Sequence, residues 1–164
     1  MAGRGQARVV GALETLDLPD AVFRTCPWEP RSLIVTGLNQ WLRCCAARRG
    51  GQVLGMPSRA VDEAWHGFIL CTRLYSQFCR RAYGRYLHHH PVGVTPAGMA
   101  GEPADAQLHR TVAAWAQVAR PGEICVLWDL DERLGVDEPW GLDPAVVAAL
   151  QITARRVPWR PWPT

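Results

Sequence analysis

A chain of 164 residues with 48% hydrophobic side chains can build one domain with its own core and is too apolar for a disordered segment. No apolar run approaches the roughly 18–20 residues that a membrane span requires, which excludes a spanning helix. The net charge of +3 is mild, although all 18 basic residues are arginines. A GC-rich coding sequence accounts for that bias. Bidentate recognition of phosphate or carboxylate would need the arginines to cluster in space, which only residues 73–85 suggest.

The first residues are basic but lack the sustained apolar core and cleavage pattern of a signal peptide, so a cytoplasmic protein is expected. Six cysteines, at 26, 44, 45, 71, 79 and 125, include no C-x-x-C pair. They read as small buried apolar residues rather than a disulfide framework or a zinc ribbon.

In chain order, residues 1–8 read as frayed and 9–16 as a short helix or strand, with a helical turn from Asp20 to Phe23. Ser32–Arg49 carries Leu33, Ile34, Leu38, Trp41, Leu42 and Cys45 at helical spacing and ends at Gly50-Gly51. The most periodic stretch is 57–91. There Val61, Trp65, Phe68, Thr72, Tyr75, Cys79 and Tyr83 recur at steps of three and four, which predicts one long helix. Ser58 is its expected N-cap, and Gly84 or the His88-His89-His90-Pro91 run its end. Residues 91–104 are rich in proline and glycine and read as a long surface loop. Pro103–Ala119 reads as a further helix, and 124–130 is ambiguous between strand and helix start. Asp143-Pro144 opens a last helix to about Arg156. The expectation is a mainly α protein, a small bundle of about four to five helices with long Pro/Gly loops. Residues 1–157 form the single helical domain, and 158–164 an extended Pro/Trp tail.

Asp62 and His66, four apart, share a face at the edge of the apolar stripe. Carboxylate and imidazole are suitable zinc or iron ligands, so the pair is a candidate metal site. Alternatively, the two residues bond each other or a nearby loop and fix the helix. The triple-histidine run supplies His89 as a third ligand only if the chain turns back. Along an unbroken helix it lies about 33 Å away. His109 is the alternative ligand from another helix.

Other polar patterns have plainer readings. Cys79 falls on the apolar face and reads as packing, not as a nucleophile. The Asp129–Glu132 acidic stretch lacks the residues of a calcium loop at Arg133 and Leu134 and reads as solvated. Arginines and tyrosines interleave between Arg73 and Arg85, as in nucleic-acid surfaces, but a solvated face with snorkelling stems explains them more cheaply. In the tail, Trp159 and Trp162 either anchor a protein partner in polyproline-II form or fold back on the core.

The run Val61-Asp62-x-x-Trp65-His66-x-x-Ile69-Leu70-x-Thr72-x-x-Tyr75-x-x-Phe78-Cys79 resembles the signature of the glycine-rich-domain-containing protein-like family. Gly84, Leu87, His88, His89 and Pro91 resemble the ending of its small bacterial relatives. The resemblance implies a helical fold and marks Asp62, Trp65, His66, Tyr75 and Cys79 as candidate positions, without implying a reaction. Three functions follow as expectations. The first is a small binding or accessory module with a polar Asp62/His66 site. The second is a zinc- or iron-dependent enzyme centred on that pair. The third is nucleic-acid binding through Arg73–Arg85.

Overall fold

The computed structural model describes residues 4–48, 52–90 and 105–156. Helices α1 (Arg4–Glu14), α2 (Arg31–Ala47), α3 (Arg59–Leu70), α4 (Thr72–Tyr83), α5 (Ala106–Val118), α6 (Leu130–Leu134) and α7 (Pro144–Arg156) make the protein mainly α. A 3₁₀ turn at Asp20–Phe23 joins them, and no strand occurs among the described residues. The helices outnumber the four to five expected. Residues 4–8, expected to fray with the first three, are helical, since α1 already begins at Arg4. The 91–104 loop and the Trp159/Trp162 tail lie outside the described residues.

The spine is α2. Ile34, Leu38, Trp41, Leu42 and Cys45 are buried as their spacing requires, and Gly37, Gln40, Arg43 and Cys44 are buried with them. A helix covered on this many sides belongs at the centre, and α2 packs against α1, α3, α5 and α6. Gly37 permits a close approach to α3, since a Cβ there would stand 2.8 Å from Val61 Cγ2.

Residues 124–130 resolve as neither strand nor helix until α6 begins. The backbone of this segment is satisfied by a side chain instead of a ladder. The Gln40 amide donates to the Ile124 carbonyl at 2.8 Å and accepts from the Val126 N–H at 2.9 Å. One turn along α2, buried Arg43 grips Glu123 through contacts of 2.6 and 3.0 Å and donates to the Val118 carbonyl. Burial pushes the Glu123 carboxyl up, but the Arg43 hydrogen bond and the Arg120 N–H outweigh it and hold the group below its ordinary value.

The long helix expected over 58–84 is two helices. Its start and finish are as read. Ser58 Oγ accepts from the Val61 N–H at 3.2 Å, and Gly84 closes α4 in the left-handed conformation (φ 72°), with its N–H on the Arg80 carbonyl. Between them the chain bends at Cys71 (ψ 58°), where no proline or glycine stands. The two halves serve different partners. α3 presses on the 3₁₀ turn so closely that a Cβ on Gly67 would lie 1.9 Å from the Val22 carbonyl oxygen. α4 lies against α1, whose Arg8 donates to the Arg80 and Arg81 carbonyls at 3.2 and 3.3 Å. The bend lets each half face its own neighbour, and Leu70 is left 79% exposed at the corner.

Candidate functional site

The bend at Cys71 assembles the site. α4 carries the chain about 18 Å, and an extended stretch from Gly84 to His89 can span a comparable distance back. Buried Leu87 anchors that returning segment. Its carbonyl accepts from Tyr75 Oη at 2.6 Å, and Tyr75 Oη in turn accepts from Trp65 Nε1 at 3.2 Å. Trp65 and Tyr75, ten residues apart on successive helices, therefore hold the backbone two residues ahead of His89.

His89 Nε2 then stands 3.1 Å from Asp62 Oδ1, and His66 Nδ1 stands 3.4 Å from Asp62 Oδ2. The two imidazole rings are 4.3 Å apart between centroids, and the indole of Trp65 stands edge-on to His89 at 4.8 Å. One ligand atom from each of Asp62, His66 and His89 falls within a 4.8 Å group. Asp62 and His89 are mostly covered, both side chains being 13% exposed, whereas His66 opens to solvent at 44%. The group is a half-buried cup with one wet side.

The other expected positions divide. Tyr75 and Cys79 are fully buried, and Tyr75 packs edge-on to Phe68 at 5.0 Å. His109 lies near Asp105 at 3.6 Å, one turn away on its own helix, and is not part of the cup. His88 turns to the Tyr86 ring, and His90 is exposed. Along Arg73–Arg85, Arg81 is used internally, donating to Thr15 Oγ1 at 2.7 Å.

Of the acidic stretch 129–132, Asp129 and Glu132 are exposed as expected, but Asp131 is not. Asp131 is fully buried and accepts from Ser58 Oγ at 2.6 Å, Arg59 N–H at 2.7 Å, Ala60 N–H at 3.1 Å and Trp140 N–H at 2.9 Å. It closes the N-terminus of α3, the helix that carries Asp62 and His66. Nothing local in the sequence marks this role, since its partners lie more than 70 residues upstream or beyond the following turn.

The cysteines are all free and, except for Cys71, buried. Burial pushes the Cys26 thiol up to about 11 and the Cys45 and Cys125 thiols up to about 12, and raises Cys44 and Cys79 as well. At pH 8 a thiol near 12 is ionised in about one molecule in ten thousand. A thiol-reactive disulfide reagent is therefore expected to modify native protein at Cys71 first and the other five only on unfolding. Their protons leave the unfolded chain at lower pH than the fold. The stabilisation is thus complete below the ordinary thiol value of 9.0 and is lost as pH rises towards 11–12. The thermal midpoint should fall steadily above pH 9, and a flat alkaline profile would contradict this.

Fold and site together define a small, mainly α protein with a two-histidine, one-carboxylate cup. The family model described as UCP032817-like matches residues 24–148, and the chain belongs to that family. This corrects the resemblance read from 61–79: the chain is not a member of the glycine-rich-domain-containing protein-like family. No curated protein and no solved structure matches the chain.

Proposed function

We propose that the protein is a metal-binding helical module whose Asp62, His66 and His89 hold one divalent transition ion, zinc or iron(II). The observation that carries this reading is the convergence of three ligand side chains, one carboxylate and two imidazoles, from two separated segments within 4.8 Å. Ligand atoms bound at about 2.0–2.1 Å around a tetrahedral ion stand roughly 3.3 Å apart. The 3.1 Å contact of Asp62 Oδ1 with His89 Nε2 already approaches that spacing, and the 3.4 Å contact with His66 Nδ1 is made by the other oxygen, Oδ2.

Direct hydrogen bonding accounts for either contact alone. It gives less reason for two imidazoles to share one carboxylate with their rings 4.3 Å apart. A bound cation removes the repulsion that two protonated rings would feel there and uses both neutral lone pairs. Three protein ligands leave at least one coordination position open, as in catalytic rather than closed structural sites. The exposed side of His66 is where water or a substrate would enter. That favours a metal-dependent enzyme over an accessory module. Free thiols at all six cysteines fit the cytoplasmic setting proposed with it.

The test is elemental analysis of purified protein, followed by cobalt(II) titration of chelator-treated protein. One equivalent of metal is expected, with a cobalt spectrum in the visible. His66→Ala and His89→Ala should each abolish stoichiometric binding while remaining helical. Metal content unchanged in both variants, or no metal in the wild type under any loading condition, would sink the reading.

A further inference from the structure

A second polar site lies against the returning 84–89 segment, through Arg85, Tyr86 and Leu87. A cavity of about 130 Å³ opens between α1, the end of α2 and the end of α4. That is room for about four waters at ~30 Å³ each, or for a tetrahedral oxyanion in their place. Arg8, Arg48 and Arg85 all line it, each from a different element, and among the described residues no carboxylate does. The clustering that an all-arginine composition alone could not show is therefore present in space.

The plainer reading is that these arginines neutralise helix ends. It covers only part of the charge. Arg8 does cap α4 through the Arg80 and Arg81 carbonyls, where the Gly84 N–H also bonds. Arg48 and Arg85 have no hydrogen-bond or ion-pair partner among the described residues. Two helix C-termini contribute about half a negative charge each against three guanidiniums, so about two positive charges stay uncompensated. The remaining polar lining is neutral. Tyr83 Oη donates to the Leu42 carbonyl at 2.8 Å, and the Cys45 thiol is pushed up to about 12 by burial. Convergent guanidiniums with free donors, around a small concavity with no acid among the described residues, match a multiply charged oxyanion that can take bidentate hydrogen bonds.

We propose that this cavity binds a small soluble phosphoryl-type oxyanion through Arg48 and Arg85, with Arg8 completing the positive wall. The site is separate from the metal cup and uses none of its ligands. Its fate is therefore independent of the metal reading.

Isothermal titration of the full-length, chelator-treated protein with inorganic phosphate and with pyrophosphate, at constant ionic strength, tests it. Saturable one-to-one binding of pyrophosphate is expected. Arg48→Gln and Arg85→Gln should each raise the Kd at least tenfold, about the loss of one charge-assisted contact. Arg73→Gln, which removes an exposed arginine outside the cavity, and His89→Ala should leave the Kd unchanged. Absence of saturable binding in the wild type would overturn the proposal, as would an unchanged Kd in both cavity variants. An equal loss in Arg73→Gln would replace it with diffuse charge attraction. Tight binding of a single-stranded oligonucleotide without pyrophosphate binding would replace it with a nucleic-acid surface.

Discussion

Asp131→Ala is expected to cost the fold about 4 kcal/mol, a large part of the 5–15 kcal/mol that holds a typical domain together. The carboxylate is fully buried and accepts four hydrogen bonds, from the Ser58 hydroxyl and from the backbone N–H groups of Arg59, Ala60 and Trp140. Hydrogen bonds to a charged group contribute about 1.5–3 kcal/mol each, and donors left buried without a partner cost about 1–3. Water entering the gap recovers some of that sum, which keeps the expected loss below a simple addition. Three of the four donors belong to the first residues of α3, so the same side chain also matches the positive end of that helix. Asp131→Asn keeps an acceptor but turns an amide towards the donors, and should lose more than half as much. In urea the wild-type midpoint should drop by about 2 M at an m-value near 2 kcal/mol/M, with m itself unchanged. A drop under about 0.5 M would show that Asp131 is not what holds α3. Because Asp62 sits in the first turn of α3, the variant should also bind metal more weakly wherever it remains folded.

The contrast between Ser58 and Asp131 shows what a single sequence can reveal. A cap is local chemistry. Ser58, Gly84 and the Asp143-Pro144 pair mark helix ends by what they do within one turn, and they stand at helix ends in the structure. The α2 core face was legible for the same reason, since burial follows a 3.6-residue period. Asp131 acts across 71–73 residues of chain on Ser58, Arg59 and Ala60. No spacing rule reaches that far, so an acidic stretch read as solvated conceals a buried anchor.

The Cys71 bend was hidden for a different reason. Trp65, Phe68, Thr72 and Tyr75 keep helical spacing straight through it, and the residues that force it are Gly67 against Val22 and Arg8 against α4. Tertiary packing overrode a local pattern that was correct on both sides of the break. The site depended on that one event. Asp62 and His66 could be paired from their spacing. His89 could join them only if the chain turned back, and although Gly84 marked an end, the bend at Cys71 had no signature.

Tyr75→Phe is expected to weaken metal binding 10- to 100-fold and to cost about 3 kcal/mol of stability, although it removes one oxygen atom from a ring that touches no ligand in the cup. The hydroxyl links two buried groups, accepting from Trp65 Nε1 at 3.2 Å and donating to the Leu87 carbonyl at 2.6 Å. Burial raises its pKa far above the ordinary phenol range, so it remains a donor at any working pH. Phenylalanine fills the same space but leaves the indole N–H and the Leu87 carbonyl unpaired, each costing about 1–3 kcal/mol. The effect on the metal arises from position. Leu87 lies two residues before His89, and Trp65 stacks edge-on to the His89 ring at 4.8 Å. Loosening both ends of that bridge frees the imidazole to leave the 3.1 Å approach to Asp62. Outer-shell partners that orient a ligating histidine typically matter by 10- to 100-fold in affinity. The measurement is a competition Kd for zinc, made at a temperature where circular dichroism shows the variant fully folded, together with the cobalt spectrum. A weaker Kd with an altered spectrum marks Tyr75 as the residue that positions His89. A stability loss with unchanged Kd and spectrum would reduce it to a core residue. Val112→Ala, which opens a gap on the buried face of α5, should destabilise the protein and leave the metal where it is.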